Sequence, residues 1–238
     1  MIHFKNISKS FGKNLVLQNV DLQINTPGIF ALLGPNGSGK TTLIKTFMGM
    51  VCANSGEILF NQQVVSGNEY RKKISYLPQI ARFPENLTPL EFFDFIEKLR
   101  GPAPRKEELI HWFNIEAFLH KTLRNLSGGT RQKINLVSCL MYNNPVLILD
   151  EPSTGLDPVA MLKLKKWILA ESQQGKQIIL CSHLMDFVQE LADEVIFMLD
   201  GEVHYRGNQH QLLAQTNTQT LEEAIANLLS EPKAQLVC

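Results

Sequence analysis

The chain has 238 residues, which suits one large domain or one domain with an inserted subdomain. Hydrophobic residues make up 44% and charged residues 19%, so a sizeable core is available. Twenty-three basic residues balance twenty-three acidic ones, and this neutrality gives no case for a nucleic-acid clamp or a binder of anionic membranes.

Cys52, Cys139, Cys181 and Cys238 are scattered, without a CxxC pair, and the histidines show no HxxxH or HExxH spacing. Reduced, mostly buried thiols are expected in preference to a metal site. The opening MIHFKNISKS has no apolar stretch of signal-peptide length. No run approaches the ~20 apolar residues that cross a bilayer. The expectation is a soluble, cytoplasmic chain that would need a separate spanning chain to work at a membrane.

In chain order, VDLQI alternates apolar and polar residues and reads as a half-buried strand. GIFALLG reads as a buried strand ending in glycine, and KTTLIKTFMGM as a helix. GEILF and KISYLP are further strands. The texture changes near Ala81. TPLEFFDFIEKLR opens with Thr88, Pro89 and Glu91, a capping box with proline at the first helical position. Phe92, Phe95, Ile96 and Leu99 share one face of that helix. Helix dominates to about Tyr142, interrupted by GPAPR.

Strand and helix then alternate again. PVLILDEP is a strand, and Asp157 and Pro158 cap and start a helix through Trp167. QIILCS is a strand, HLMDFVQELA a helix and DEVIFML a strand. Asp200-Gly201 followed by EVHYR predicts a hairpin. TLEEAIANLL opens with a capping box from Thr220 to Glu223. Its stripe of Leu221, Ile225, Leu228 and Leu229 predicts a packing helix rather than a partner site. The alternation predicts a mainly parallel sheet covered on both faces.

GPNGSGKT, Gly34 to Thr41, fits G-x-x-x-x-G-K-[ST] between a strand and a helix. Bare glycines let backbone N–H groups wrap phosphate oxygens, and the helix start adds partial positive charge. Lys40 can reach the outer phosphates, and Thr41 can offer its hydroxyl to Mg²⁺. An ordinary glycine-rich turn is the competing reading. PVLILDE ends in Asp150 and Glu151, and two adjacent buried acids are expensive without a cation. Asp150 can hold the metal, and Glu151 can orient or deprotonate a water.

With GPNGSGKT, LSGG and LDEP in that order, the chain resembles the nucleotide-binding subunit of ABC transporters from Ile2 to about Gln215. The resemblance implies an α/β P-loop NTPase core with a mainly parallel sheet, an N-terminal antiparallel β part and an inserted helical subdomain. It implies one domain over 1–238. Segments 1–85 and 144–215 form the core, 86–143 the helical part and 216–238 a helical tail.

It also implies ATP and Mg²⁺ as cofactors and assigns roles. Phe11 stacks on adenine beside Val16. Gly34, Pro35, Asn36, Gly37, Ser38, Gly39, Lys40, Thr41 and Thr42 hold the phosphates. Thr41, Gln79 and Asp150 serve the metal. Glu151, His183, Gln79 and Lys40 are catalytic, with His183 at the γ-phosphate. Ser127, Gly128 and Gly129 face the nucleotide of an opposite subunit. Asp157 ends a segment that communicates between subunits. Thr130 and Phe11 depart from the family's more usual glutamine and tyrosine.

The implied function is an ATPase working as a head-to-tail homodimer at the cytoplasmic face of a membrane, driving a separate permease, without a nucleic-acid partner. The short cassette with LTPLEFF and LEEAIANLL looks like ABC-2 export-type ATPases. LSGGTRQKIN is similar to ATPases serving copper-site maturation of nitrous oxide reductase and to gliding-associated ones. The rival reading is a soluble ABC ATPase of an assembly scaffold, such as iron–sulfur cluster biogenesis. A P-loop kinase has no use for LSGG.

Overall fold

The computed structural model describes residues 1–80 and 84–230. Ala81, where the change of texture was placed, and Cys238 lie outside the described residues. The elements in chain order are β1 (Ile2–Phe11), β2 (Asn14–Ile24), β3 (Gly28–Leu33), α1 (Lys40–Phe47), β4 (Ser55–Phe60), β5 (Gln63–Val64) and β6 (Ile74–Leu77). Then follow α2 (Pro89–Arg100), α3 (Lys106–Trp112), α4 (Gly128–Leu140), β7 (Val146–Asp150), α5 (Pro158–Gln173), β8 (Gln177–Cys181) and α6 (Met185–Leu191). The remainder is β9 (Glu194–Leu199), β10 (Glu202–Asn208), α7 (Gln209–Thr216) and α8 (Leu221–Ser230). The fold is α/β, with an antiparallel N-terminal sheet and mostly parallel pairing elsewhere.

Two compact units divide the chain: residues 1–70 with 177 onward, and residues 71–176. In the first unit, β2, β1, β4 and β5 form an antiparallel sheet in that order. The strand β2 buries alternate side chains along its second half, as a sheet with one wet face does. Under it α1 places Phe47, fully buried, with ring centroids 5.8 Å from Phe4 and 6.0 Å from Phe60. The other sheet of this unit pairs β3 in parallel with both β8 and β9, and β10 returns antiparallel on β9. All six residues of β3 and all five of β8 are buried, the pattern of strands covered on both faces.

The capping box at Thr220 and Glu223 forms as expected, with each backbone N–H bonded by the other side chain. Leu221, Ile225 and Leu228 enter the core around Phe197 and Val188, while Leu229 remains exposed. The helix α7 and the strand β1 carried no sequence expectation of their own.

In the second unit β6 pairs with β7 in parallel, Ile74 opposite Val146. Thr88 and Glu91 close the expected capping box of α2. The stripe expected on that helix is not its core face. Phe93 is fully buried, whereas Phe95 is 50% and Leu99 70% exposed. The helix α5 runs to Gln173 rather than stopping at Trp167. Its C-terminal half is anchored by Glu171, which is 1% exposed and ion-paired with Arg105 and Lys176. Trp112 and Trp167 meet edge-on at 5.5 Å beside that cluster, with the Arg105 guanidinium over the Trp167 ring. Cys139 is buried and its thiol is pushed up to about 12 by desolvation, which leaves it inert at neutral pH. Cys181 is buried and Cys52 exposed.

Candidate functional site

The candidate residues divide between the units. The first holds Phe11, Val16, the loop from Gly34 to Thr42, and His183. The second holds Gln79, Ser127, Gly128, Gly129, Asp150, Glu151 and Asp157.

The loop Gly34–Gly39 joins the buried β3 to α1, the context the motif requires. Its backbone takes positions that only glycine adopts without strain: φ is 145° at Gly34, 84° at Gly37 and 102° at Gly39. A Cβ at Gly34 would lie 2.1 Å from the Met198 carbonyl oxygen, and one at Gly39 would lie 2.8 Å from the Val16 carbonyl oxygen. A Cβ at Gly37 would meet nothing within 4 Å, so the loop rim is open there. The Lys40 ammonium donates to Gly34 O at 2.7 Å and Pro35 O at 3.0 Å, folding its charge over the loop. Gly39 caps α1 without a side-chain bond, and no acid stands in the first turn. The helix start therefore presents backbone N–H donors and partial positive charge, suited to a polyanion. Thr41 and Thr42 are half-buried in that turn, and Pro35, Asn36 and Ser38 complete the loop.

The Asp200-Gly201 turn expected from the sequence closes the β9–β10 hairpin. The turn also braces the loop: Gly201 N–H donates to Ser38 O at 3.2 Å, and Gly201 O accepts from Gln18 N–H at 2.9 Å. Phe11 is 51% exposed, so it is not a core aromatic, and the Lys9 ammonium lies 4.9 Å from its ring centroid. Val16 is half-buried on β2. His183 is exposed in the turn between β8 and α6.

In the second unit Asp150 ends β7 and is 4% exposed. Glu151 follows it with φ of 52°, a left-handed conformation uncommon for a non-glycine residue. Gln79 is exposed two residues beyond β6. Ser127 caps α4, its Oγ accepting from Thr130 N–H at 3.2 Å and lying 2.9 Å from Thr130 Oγ1. Ser127 and Gly128 are exposed, and a Cβ at Gly128 would meet nothing within 4 Å. Asp157 caps α5 through Ala160 N–H at 2.8 Å. Its other oxygen accepts from Lys133 at 2.6 Å. The Lys133 hydrogen bond, then the Ala160 N–H, holds the Asp157 carboxyl below the ordinary carboxylate range.

A family model described as "ABC transporter" matches residues 17–154, more than half the chain. The chain belongs to the ABC transporter family. It is an ATP-binding subunit carrying that family's ATPase domain. An uncharacterized ABC transporter ATP-binding protein, YxlF of Bacillus subtilis, is 30% identical over 92% of this chain and 74% of its own length. A solved ATP-binding subunit of an ABC transporter superposes with a TM-score of 0.89 at 26% identity, over 97% of this chain and all of the other. A dimeric post-hydrolysis ATP-binding cassette bound to ADP and Pi has the same fold, with a TM-score of 0.75 at 24% identity over 87% and 98% of the two chains.

Among the described residues no cluster of three His, Cys, Asp or Glu could hold a metal ion. The donor set of Thr41 hydroxyl, Gln79 amide and Asp150 carboxylate is all hard oxygen. It fits Mg²⁺, which binds through one or two carboxylates plus substrate phosphates. No helix of the described residues is long and apolar enough to cross a membrane.

Proposed function

We propose that the chain hydrolyses Mg·ATP as one of two identical cassettes and drives a separate permease from the cytoplasmic face of a membrane. The observation that carries this reading is the open, glycine-built loop under Lys40, in a chain of this family. Lys40, Thr42 and the backbone of Gly34–Gly39 bind the phosphates, and Phe11 with Val16 takes the adenine. Thr41, Asp150 and Gln79 hold Mg²⁺, which when bound neutralises charge developing on the phosphates. Glu151 orients the attacking water and His183 steadies the γ-phosphate. Most of the rate enhancement comes from positioning and charge stabilisation. Segments 1–85 and 144–215 serve as the core, 86–143 as the signature subdomain and 216–238 as a tail.

Ser127 and Gly128 stand exposed at a helix start with Gly129 half-buried beside them, and we assign all three to the nucleotide of the opposite copy. A solved cassette of the same fold is dimeric, in keeping with two copies acting together. ATP then joins the two copies and hydrolysis releases them. The similarity of LSGGTRQKIN to copper-maturation ATPases suggests a substrate class, but substrate choice lies with the permease.

The test is to express tagged Glu151→Gln, solubilise membranes with ATP present and identify what co-purifies. A stoichiometric polytopic membrane protein supports the reading, and its identity narrows the cargo. A purely soluble scaffold protein replaces it with the assembly-ATPase reading.

A further inference from the structure

The first two turns of α4 are fastened to the segment from Glu151 to Asp157 at three points. Gln132 Nε2 donates to Pro152 O at 3.0 Å. Lys133 bonds Asp157 at 2.6 Å. Gly129 lies so close to Gly155 that a Cβ there would come within 2.6 Å of the Gly155 carbonyl oxygen. The same helix start carries Ser127 and Gly128 on its exposed tip.

The first of these fastenings has a specific reach. Glu151 sits at φ of 52°, a strained conformation for a residue with a Cβ. Something must hold it there. Proline at the next position disfavours the right-handed helical alternative for Glu151. The trans peptide is planar, and the ring of Pro152 fixes its own φ. Only the ψ of Pro152 is soft between its carbonyl oxygen and the Cα of Glu151. Pinning that oxygen therefore restrains the Cα from which the Glu151 side chain leaves, with the ψ of Glu151 setting its direction. Pro152 is buried and Gln132 half-buried, so the bond is only partly exposed to competing water.

We propose that Gln132 is a positioning residue for hydrolysis, acting through the Pro152 carbonyl to hold the carboxylate of Glu151. This rests on the reading of Glu151 as the residue that orients water. Gln132 touches neither nucleotide nor metal in this proposal, so its loss slows turnover and leaves ATP affinity alone. It also gives α4 a direct hold on the catalytic segment of its own chain.

The test compares kcat, KM and ATP affinity of the full chain, in its complex where one co-purifies. Gln132→Leu is expected to lower kcat about fivefold, the worth of roughly one neutral hydrogen bond, with KM within twofold. Gln132→Glu keeps the shape but faces an acceptor with an acceptor, so it falls similarly and covers the case in which the leucine variant does not fold. Gln132→Arg restores an N–H donor and returns most of kcat. Single-turnover hydrolysis followed over hours in a Glu151→Gln background gives the decisive arm. There Gln132→Leu adds no further loss if it acts through Glu151. Losses that multiply, or a rise in KM at constant kcat, overturn the proposal. Wild-type turnover by Glu151→Gln alone would instead remove the underlying reading of Glu151.

Discussion

The ammonium of Lys40 lies 2.7 Å from the carbonyl oxygen of Gly34, six residues before it in the same loop. With Pro35 O also in reach, the charge is held by backbone oxygens that ATP phosphates outcompete as partners for a cation. Lys40→Ala should therefore weaken ATP binding by about 10- to 100-fold, the range of one charge-assisted hydrogen bond. The melting temperature should hardly move, because the lost bonds are to an open loop. Titration with a fluorescent ATP analogue, beside a melt, reads both. Unchanged affinity would take Lys40 out of the site.

Ser127→Arg separates the two halves of the proposed composite site. The arginine removes the cap of α4, costing about 1 kcal/mol. It also places a long side chain on an exposed tip. ATP affinity of the monomer should stay within twofold, while hydrolysis falls below detection. Normal turnover would mean that no opposite copy docks on this tip.

Much of the fold was legible because local signals and burial agree. The strands β3, β7 and β8 are continuous apolar runs, and they are buried throughout. Thr88 with Glu91 and Thr220 with Glu223 are caps written within four residues, and both form. What escaped depends on distant neighbours. β1 mixes polar and apolar residues, and its pairing with β2 is broken by register shifts, with Asn6 at φ of 52°. The end of α5 is an exception that was written locally, six residues beyond the Trp167 of the segment read as helix: Gly175 at φ of 84° lets its own N–H reach Ser172 O and Lys176 N–H reach Glu171 O. Phe95 and Leu99 follow helical period yet face outward, because periodicity finds an apolar face without saying what covers it. The candidate loop was legible residue by residue. Its braces were not: Gly201 reaches Ser38 and Gln132 reaches Pro152 through single hydrogen bonds that carry no pattern in the chain.

Glu171 gives the second unit an acid limit. Burial alone would raise its carboxyl, but hydrogen bonds from Arg105 and Lys176 outweigh that and hold it below its ordinary 4.5. A depressed folded pKa contributes stability above the unfolded value and loses it as pH falls through the folded one. The wild-type chain should lose stability progressively below about pH 4.5. Glu171→Gln strands the buried Lys176 ammonium and leaves the half-buried Arg105 with Glu108, and should cost about 3 kcal/mol at neutral pH, a fall of roughly 10 °C in Tm. Its stability should also vary less with pH in the acid range. A variant with the wild-type acid profile would show that other carboxylates set the limit.

Gly34 and Gly37 both take positive φ, yet their substitutions should fail differently. At Gly34 a methyl group would overlap the Met198 carbonyl oxygen at 2.1 Å, and backbone on both sides must shift. Gly34→Ala should lose about 3 kcal/mol of stability and ATP binding with it. At Gly37 nothing lies within 4 Å, so only the left-handed backbone penalty of about 1 kcal/mol applies. The protein should stay folded, but the methyl would stand on the open rim of the loop where we place the phosphates. Gly37→Ala should therefore keep its Tm within a few degrees and bind ATP at least about tenfold more weakly, one methyl clash in a close-fitting site being worth upward of 1.4 kcal/mol. Tight ATP binding by a well-folded Gly37→Ala would place the phosphates elsewhere on the loop. Loss of fold at Gly37 but not at Gly34 would reverse the account of which glycine serves packing and which serves the ligand.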